Sequence, residues 1–96
     1  MALEYRPIPL EYALHQAYPN PFNPTTTLSF ALPIEAEVSL SIYNLQGREV
    51  STLINGNIAA GYHSAIWNAD SHSSGVYFIK MITGEYINTQ KLMLVK

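Results

Sequence analysis

Thr27-Leu28-Ser29-Phe30-Ala31-Leu32-Pro33 and Glu37-Val38-Ser39-Leu40-Ser41-Ile42-Tyr43-Asn44-Leu45-Gln46-Gly47 decide the fold class of this chain. In the first segment Leu28, Phe30 and Leu32 recur at every second position; in the second, Val38, Leu40 and Ile42 do the same. Successive side chains of an extended backbone point to opposite faces, so a period of two marks a half-buried β-strand. Pro33 ends the first strand, because it has no N–H to give to a ladder. Asn44-Leu45-Gln46-Gly47 ends the second as a turn, with glycine where a positive φ is wanted.

Working outward, Arg48 to Ile54 reads as a third strand, closed by Asn55-Gly56-Asn57, the strongest short-range hairpin signal in the chain. Gly61 to Trp67 makes a fourth, with His63, Ala65 and Trp67 on one face. Asn68 to Gly75 is a polar loop, and Val76 to Thr83 a fifth strand. Gly84-Glu85 then turns the chain into a last strand that runs to Lys96. Short strands with a turn signal about every ten residues predict an all-β antiparallel sandwich of about seven strands. The connections are too short for crossover helices, which excludes a parallel sheet.

Ahead of the first strand lies Tyr18-Pro19-Asn20-Pro21-Phe22-Asn23-Pro24-Thr25-Thr26-Thr27. Pro19, Pro21 and Pro24 fix their own φ and push the residues before them out of the α region. The stretch is therefore a stiff clasp at the entry to the sheet. Asn20 and Asn23 are expected to cap it through Asx turns with their own neighbours, and Phe22 to pin it to the core. Residues 1–17 read as a linker tail and 18–96 as the domain. Leu10, Tyr12 and Leu14 alternate, so part of the tail is expected along a sheet edge.

Composition narrows the function classes. Ninety-six residues make one domain, and a chain of this size buries roughly 60–70% of its extended surface. Charged residues are 12% and the net charge is −2, which gives no field to draw nucleic acid or an acidic membrane. Cysteine is absent, which removes disulfides, thiolate metal sites and thiol catalysis. No run approaches the roughly 20 apolar residues of a membrane span. Met1-Ala2-Leu3-Glu4-Tyr5-Arg6 shows no secretion signal. Export would therefore need a signal on a longer precursor.

No constellation for chemistry emerges. Asp70, Glu4, Glu11, Glu35, Glu37, Glu49 and Glu85 fall in turns, tails and strand edges, without an acid–base pair. His15, His63 and His72 lack ligand spacing. His63 suits a packed strand position better than a catalytic one. Asp70-Ser71-His72-Ser73-Ser74-Gly75 offers no rigid nucleophile turn. Asn68 and Asp70 are too few oxygens to make a calcium loop. Catalytic, cofactor and metal residues are accordingly expected to be none. Seven tyrosines and Trp67 raise the alternative of a structural or carbohydrate-binding accessory module, the second of which would need an exposed coplanar aromatic pair.

A resemblance adds what composition does not. The chain resembles the type A C-terminal sorting domains of the type IX (Por) secretion system, known from Bacteroidetes and related bacteria. It does so through Tyr18-Pro19-Asn20-Pro21-Phe22-Asn23-Pro24-Thr25-Thr26, Leu28 to Pro33, Val38 to Val50, Ala60-Gly61-Tyr62-His63, Trp67, Ser74-Gly75-Val76-Tyr77-Phe78 and Lys91-Leu92-Met93-Leu94-Val95-Lys96. A related immunoglobulin-like module of flagellar hook-capping proteins shares Tyr43-Asn44 and Ser74 to Tyr77, but not the clasp or the terminal lysine. The resemblance implies an immunoglobulin-like sandwich that does no chemistry itself. It also implies that the domain carries an upstream cargo domain of the same precursor across the outer membrane. The partners it implies are the secretion machinery and a sortase-like surface protease that removes the tail. The route runs through the periplasm to the cell surface or the medium, and cleavage falls in or before residues 1–17.

In that family the last strand, here Lys91-Leu92-Met93-Leu94-Val95-Lys96, and the clasp are the parts tied to export. An edge strand offers unpaired N–H and C=O groups that a receptor completes by strand addition. The expectation is therefore an open margin along residues 91–96, with Lys91 and Lys96 guarding the apolar run between them. An open edge also allows an edge-strand dimer.

Overall fold

A computed structural model describes residues 8–96 as two antiparallel sheets without a helix. The reading of Met1 to Arg6, and the start of the 1–17 tail, lie outside the described residues. The elements are β1 (Ala13–Leu14), β2 (Thr25–Leu32), β3 (Ala36–Asn44), β4 (Glu49–Ile58), β5 (Gly61–Asn68), β6 (Gly75–Thr83) and β7 (Tyr86–Leu94). One sheet has the order β1-β2-β5 and the other β4-β3-β6-β7. The predicted all-β sandwich of seven strands is what forms.

Alternation in the sequence becomes the two inner faces. Leu28, Phe30 and Leu32 of β2 are buried, as are Val38, Leu40 and Ile42 of β3 and Tyr77, Ile79 and Met81 of β6. Leu92 and Leu94 complete the layer from β7. Trp67 closes one end of this core, with Phe22 at 5.6 Å and Tyr77 at 5.3 Å between ring centroids. His63 is a packing histidine: its ring stacks on Phe30 at 5.3 Å, and Nε2 lies 2.7 Å from the Ala59 carbonyl.

The turn at Asn44 forms as its residues dictate. Gly47 has φ 82°, and Asn44 Oδ1 accepts from the Gln46 and Arg48 N–H groups at 3.0 and 2.9 Å. Asn55-Gly56-Asn57 does not turn. It runs inside β4, opposite Ser39, Val38 and Glu37, and the chain reverses later, at Ala59-Ala60. Gly56 is not among the glycines with positive φ. The pairing of four further residues, Asn55 to Ile58, with β3 outweighs a local preference for a two-residue turn. The strand is irregular nonetheless, with register shifts opposite Leu40/Ser41 and Ile42/Tyr43 that mark bulges.

Part of the tail joins the fold. Ala13 and Leu14 pair with Ala31 and Phe30 of β2, and Leu14 and Ala17 are buried, whereas Leu10 is exposed. Gln90 Nε2 donates to the Leu14 carbonyl at 2.7 Å, and Leu14 N–H donates to the Tyr86 hydroxyl at 3.1 Å. These bonds tie β1 to β7 across the gap between the sheets.

Candidate functional site

The last strand and the proline clasp meet. Strand β7 pairs with β6 along its whole length, from Thr83↔Tyr86 to Gly75↔Leu94. Its other margin is occupied from Lys91 onward by residues 20–22. Phe22 N–H donates to the Met93 carbonyl at 2.9 Å, and Val95 N–H donates to the Phe22 carbonyl at 3.0 Å, a parallel bridge. One step earlier the Asn20 side chain takes the place of a peptide group. Its Nδ2 donates to the Lys91 carbonyl at 3.0 Å, while Oδ1 accepts from Met93 N–H at 3.0 Å.

This overturns the expected open margin: Lys91 C=O, Met93 N–H, Met93 C=O and Val95 N–H all have partners within the chain. A receptor that added a strand there would first have to displace the clasp. The finding also reassigns Asn20, which bonds β7 rather than capping its own turn. Asn23 lies exposed in the bend before Pro24.

The clasp holds its position through both ends. Phe22 is 2% exposed and sits against Trp67. Tyr18 exchanges two 3.0 Å backbone bonds with Thr27, and the buried Thr26 hydroxyl donates to the Pro19 carbonyl at 2.7 Å. The Pro24 carbonyl accepts from Ala69 N–H at 2.8 Å. The prolines bring no N–H that needs a partner, and the carbonyls of Pro19 and Pro24 are used. Between clasp and strand lies a groove of about 600 Å³, walled by Tyr18, Pro19, Asn20, Gln90 and Lys91.

With its edge covered, β7 presents side chains instead. Leu92 and Leu94 point into the core, whereas Lys91, Met93, Val95 and Lys96 are exposed. Register places Lys91 beside Phe78 and Met93 beside Val76. Phe78 in turn adjoins Tyr43, over whose ring Lys80 Nζ stands at 6.0 Å. This outer face is therefore apolar and aromatic, dotted with ammonium groups. Lys96 N–H donates to Ser74 Oγ at 3.0 Å, and its Nζ donates to the Asp70 carbonyl. Those bonds fasten the residues after β7 to the loop before β6. Tyr77 of β6 donates its hydroxyl to the Ser73 carbonyl of that loop at 2.6 Å, and Gly75, the first residue of β6, adopts φ 152°.

Neither alternative chemistry gathers support from the geometry. Asn68 Oδ1 is occupied by the Asp70 N–H at 3.0 Å. Among the described residues no three His, Asp or Glu side chains converge as metal ligands. The close aromatic pairs, including Tyr12 and Tyr86 at 5.7 Å, involve rings that are buried or half-buried rather than a bare platform.

The model of the secretion system C-terminal sorting domain family matches residues 16–96. The chain belongs to that family. The match takes in the clasp and β2 to β7, that is, the folded body apart from the two-residue edge strand β1. Neither the curated proteins nor the solved structures give a match. Sorting domains of this type are generally non-catalytic, accompany a cargo that lies N-terminal to them, and imply secretion toward the outer membrane or the extracellular surface.

Proposed function

We propose that this domain is a non-catalytic export signal, carrying the protein joined ahead of it from the periplasm across the outer membrane by the type IX machinery. A sortase-like protease then removes it. Family membership over residues 16–96 carries this reading. The tether lies ahead of Tyr12, and the module takes in β1 as well as residues 18–96. Because Ala13–Leu14 pairs with β2 and Ala17 is buried, scission ahead of Tyr12 leaves the released module intact.

The element read by the machinery is the outward face at the end of the last strand, Lys91 and Met93, together with the exposed Val95 and Lys96 just beyond it. Leu92 and Leu94 support it from within, and the clasp of Tyr18, Pro19, Asn20, Pro21, Phe22, Asn23 and Pro24 holds it flat. Trp67, Gly75 and Tyr77 are structural. The exposure of Lys91 and Met93, together with the covered edge beneath them, favours reading by side chains over strand addition.

Deleting residues 91–96 strands a fused reporter in the periplasm, but it also removes two buried leucines. The discriminating variant is Lys91→Glu combined with Met93→Glu, which alters only exposed groups. It melts like the parent while secretion of the fusion falls. Normal secretion of the double variant refutes the assignment of the outward face.

A further inference from the structure

We infer that β5 is a homodimerisation edge, on which a second copy of this chain pairs antiparallel about Ser64. The two sheets have four margins. β1 is two residues long and continues into the Tyr18–Thr27 bridge. β7 is closed by the clasp from Lys91 onward, which leaves only the short stretch from Tyr86 to Gln90 outside it. β4 is broken by two bulges, the usual protection of an edge. β5 differs from all three. Its eight residues pair with β2 in unbroken register from Thr25↔Asn68 to Leu32↔Gly61. It carries no Lys, Arg, Asp, Glu or Pro, and among the described residues no segment pairs with its outer side.

The direction of its backbone groups follows from bonds on the far side of β2. His15 N–H donates to Ser29 C=O at 2.9 Å, and Tyr18 and Thr27 exchange two bonds at 3.0 Å. Thr27 and Ser29 thus face β1, and alternation turns Thr26, Leu28 and Phe30 toward β5, opposite Trp67, Ala65 and His63. The same alternation along β5 sends the N–H and C=O groups of Tyr62, Ser64 and Ile66 outward, without a partner among the described residues.

Those three residues are self-complementary. An antiparallel pair centred on Ser64 sets Tyr62 against Ile66 of the other copy, twice, with the two Ser64 residues on the axis. Tyr62 and Ile66 are 61% and 64% exposed on the outer face, and an aromatic beside a β-branched side chain is a favourable cross-strand pair. No like charges meet. The symmetry closes on two copies and joins both three-stranded sheets into one of six. This inference stands apart from the sorting reading and survives or fails without it.

Sedimentation velocity of the 96-residue chain from about 10 μM to about 1 mM covers the range expected for a small interface. A monomer–dimer equilibrium is expected. Ser64→Lys sets two ammonium groups face to face on the axis, as Ser64→Glu does two carboxylates, and each weakens association at least tenfold. Mixing the two variants restores it as a heterodimer. Thr52→Lys on the bulged β4 leaves association unchanged. A monomer throughout the range, open polymers in place of dimers, or a mixture that stays monomeric overturns the inference.

Discussion

Replacing Asn20 by alanine isolates the contact that most distinguishes this sandwich from a bare pair of sheets. The substitution removes two hydrogen bonds to the last strand, each 3.0 Å long, and leaves the backbone bridge at Phe22 in place. A hydrogen bond contributes a net of about 0.5–1.5 kcal/mol, and here water can reach Lys91 C=O and Met93 N–H once the amide is gone. No orphaned buried group adds to the loss, so the pair together is worth about 1–2 kcal/mol. In a domain of this size each kcal/mol moves the melting point by about 4–8 °C, which predicts a fall of roughly 5–15 °C. The loss is also local. Hydrogen exchange at the Met93 amide should quicken about tenfold or more, while the amides of Ile42 and Ile79 at the sheet centre follow only the global change. Asn23→Ala, at an exposed bend, stays within about 0.5 kcal/mol of the parent. An Asn20→Ala domain that melts within about 1 °C of the parent, with Met93 exchange unchanged, refutes the bridge.

Further outcomes follow from individual positions. Phe22→Ala empties the space against Trp67 and should cost about 3–5 kcal/mol in urea unfolding; a loss under about 1 kcal/mol would mean that the clasp is not anchored there. Gly56 sits in a strand with open space where a Cβ would stand, so Gly56→Ala should stabilise by about 0.5–1 kcal/mol. Gly47→Ala should destabilise, because φ 82° suits glycine alone; equal signs for the two glycines would contradict the placement of the turns. Tyr77→Phe removes the bond to the Ser73 carbonyl and should lower stability by about 0.5–1.5 kcal/mol, read by thermal melting.

How much of this was legible depends on the distance between partners. Leu28, Phe30 and Leu32, or Val38, Leu40 and Ile42, announce their strands because a period of two is written in adjacent residues. Gly47 announces its turn for the same local reason. Asn55-Gly56-Asn57 misleads by that logic: its turn preference is local, whereas the pairing with Glu37, Val38 and Ser39 that overrides it is not. Asn20 is the extreme case. Its partner lies 71 residues away, and no periodicity links an asparagine between two prolines to a backbone carbonyl in the last strand. The expectation of an open edge failed there, since strand order shows which strand is terminal but not what folds back across it. The run Leu92-Met93-Leu94-Val95 is likewise apolar throughout, so which of its side chains face out follows from the pairing of β7 with β6 and not from its hydropathy.

The central claim is that this module addresses a cargo for export. Fused behind a periplasmic reporter, the chain can be expressed in a bacterium with a working type IX system and in its secretion-deficient counterpart. The account predicts reporter activity in the medium or on the surface of the first strain and retention in the periplasm of the second. Retention in both strains, or equal release from both, contradicts it.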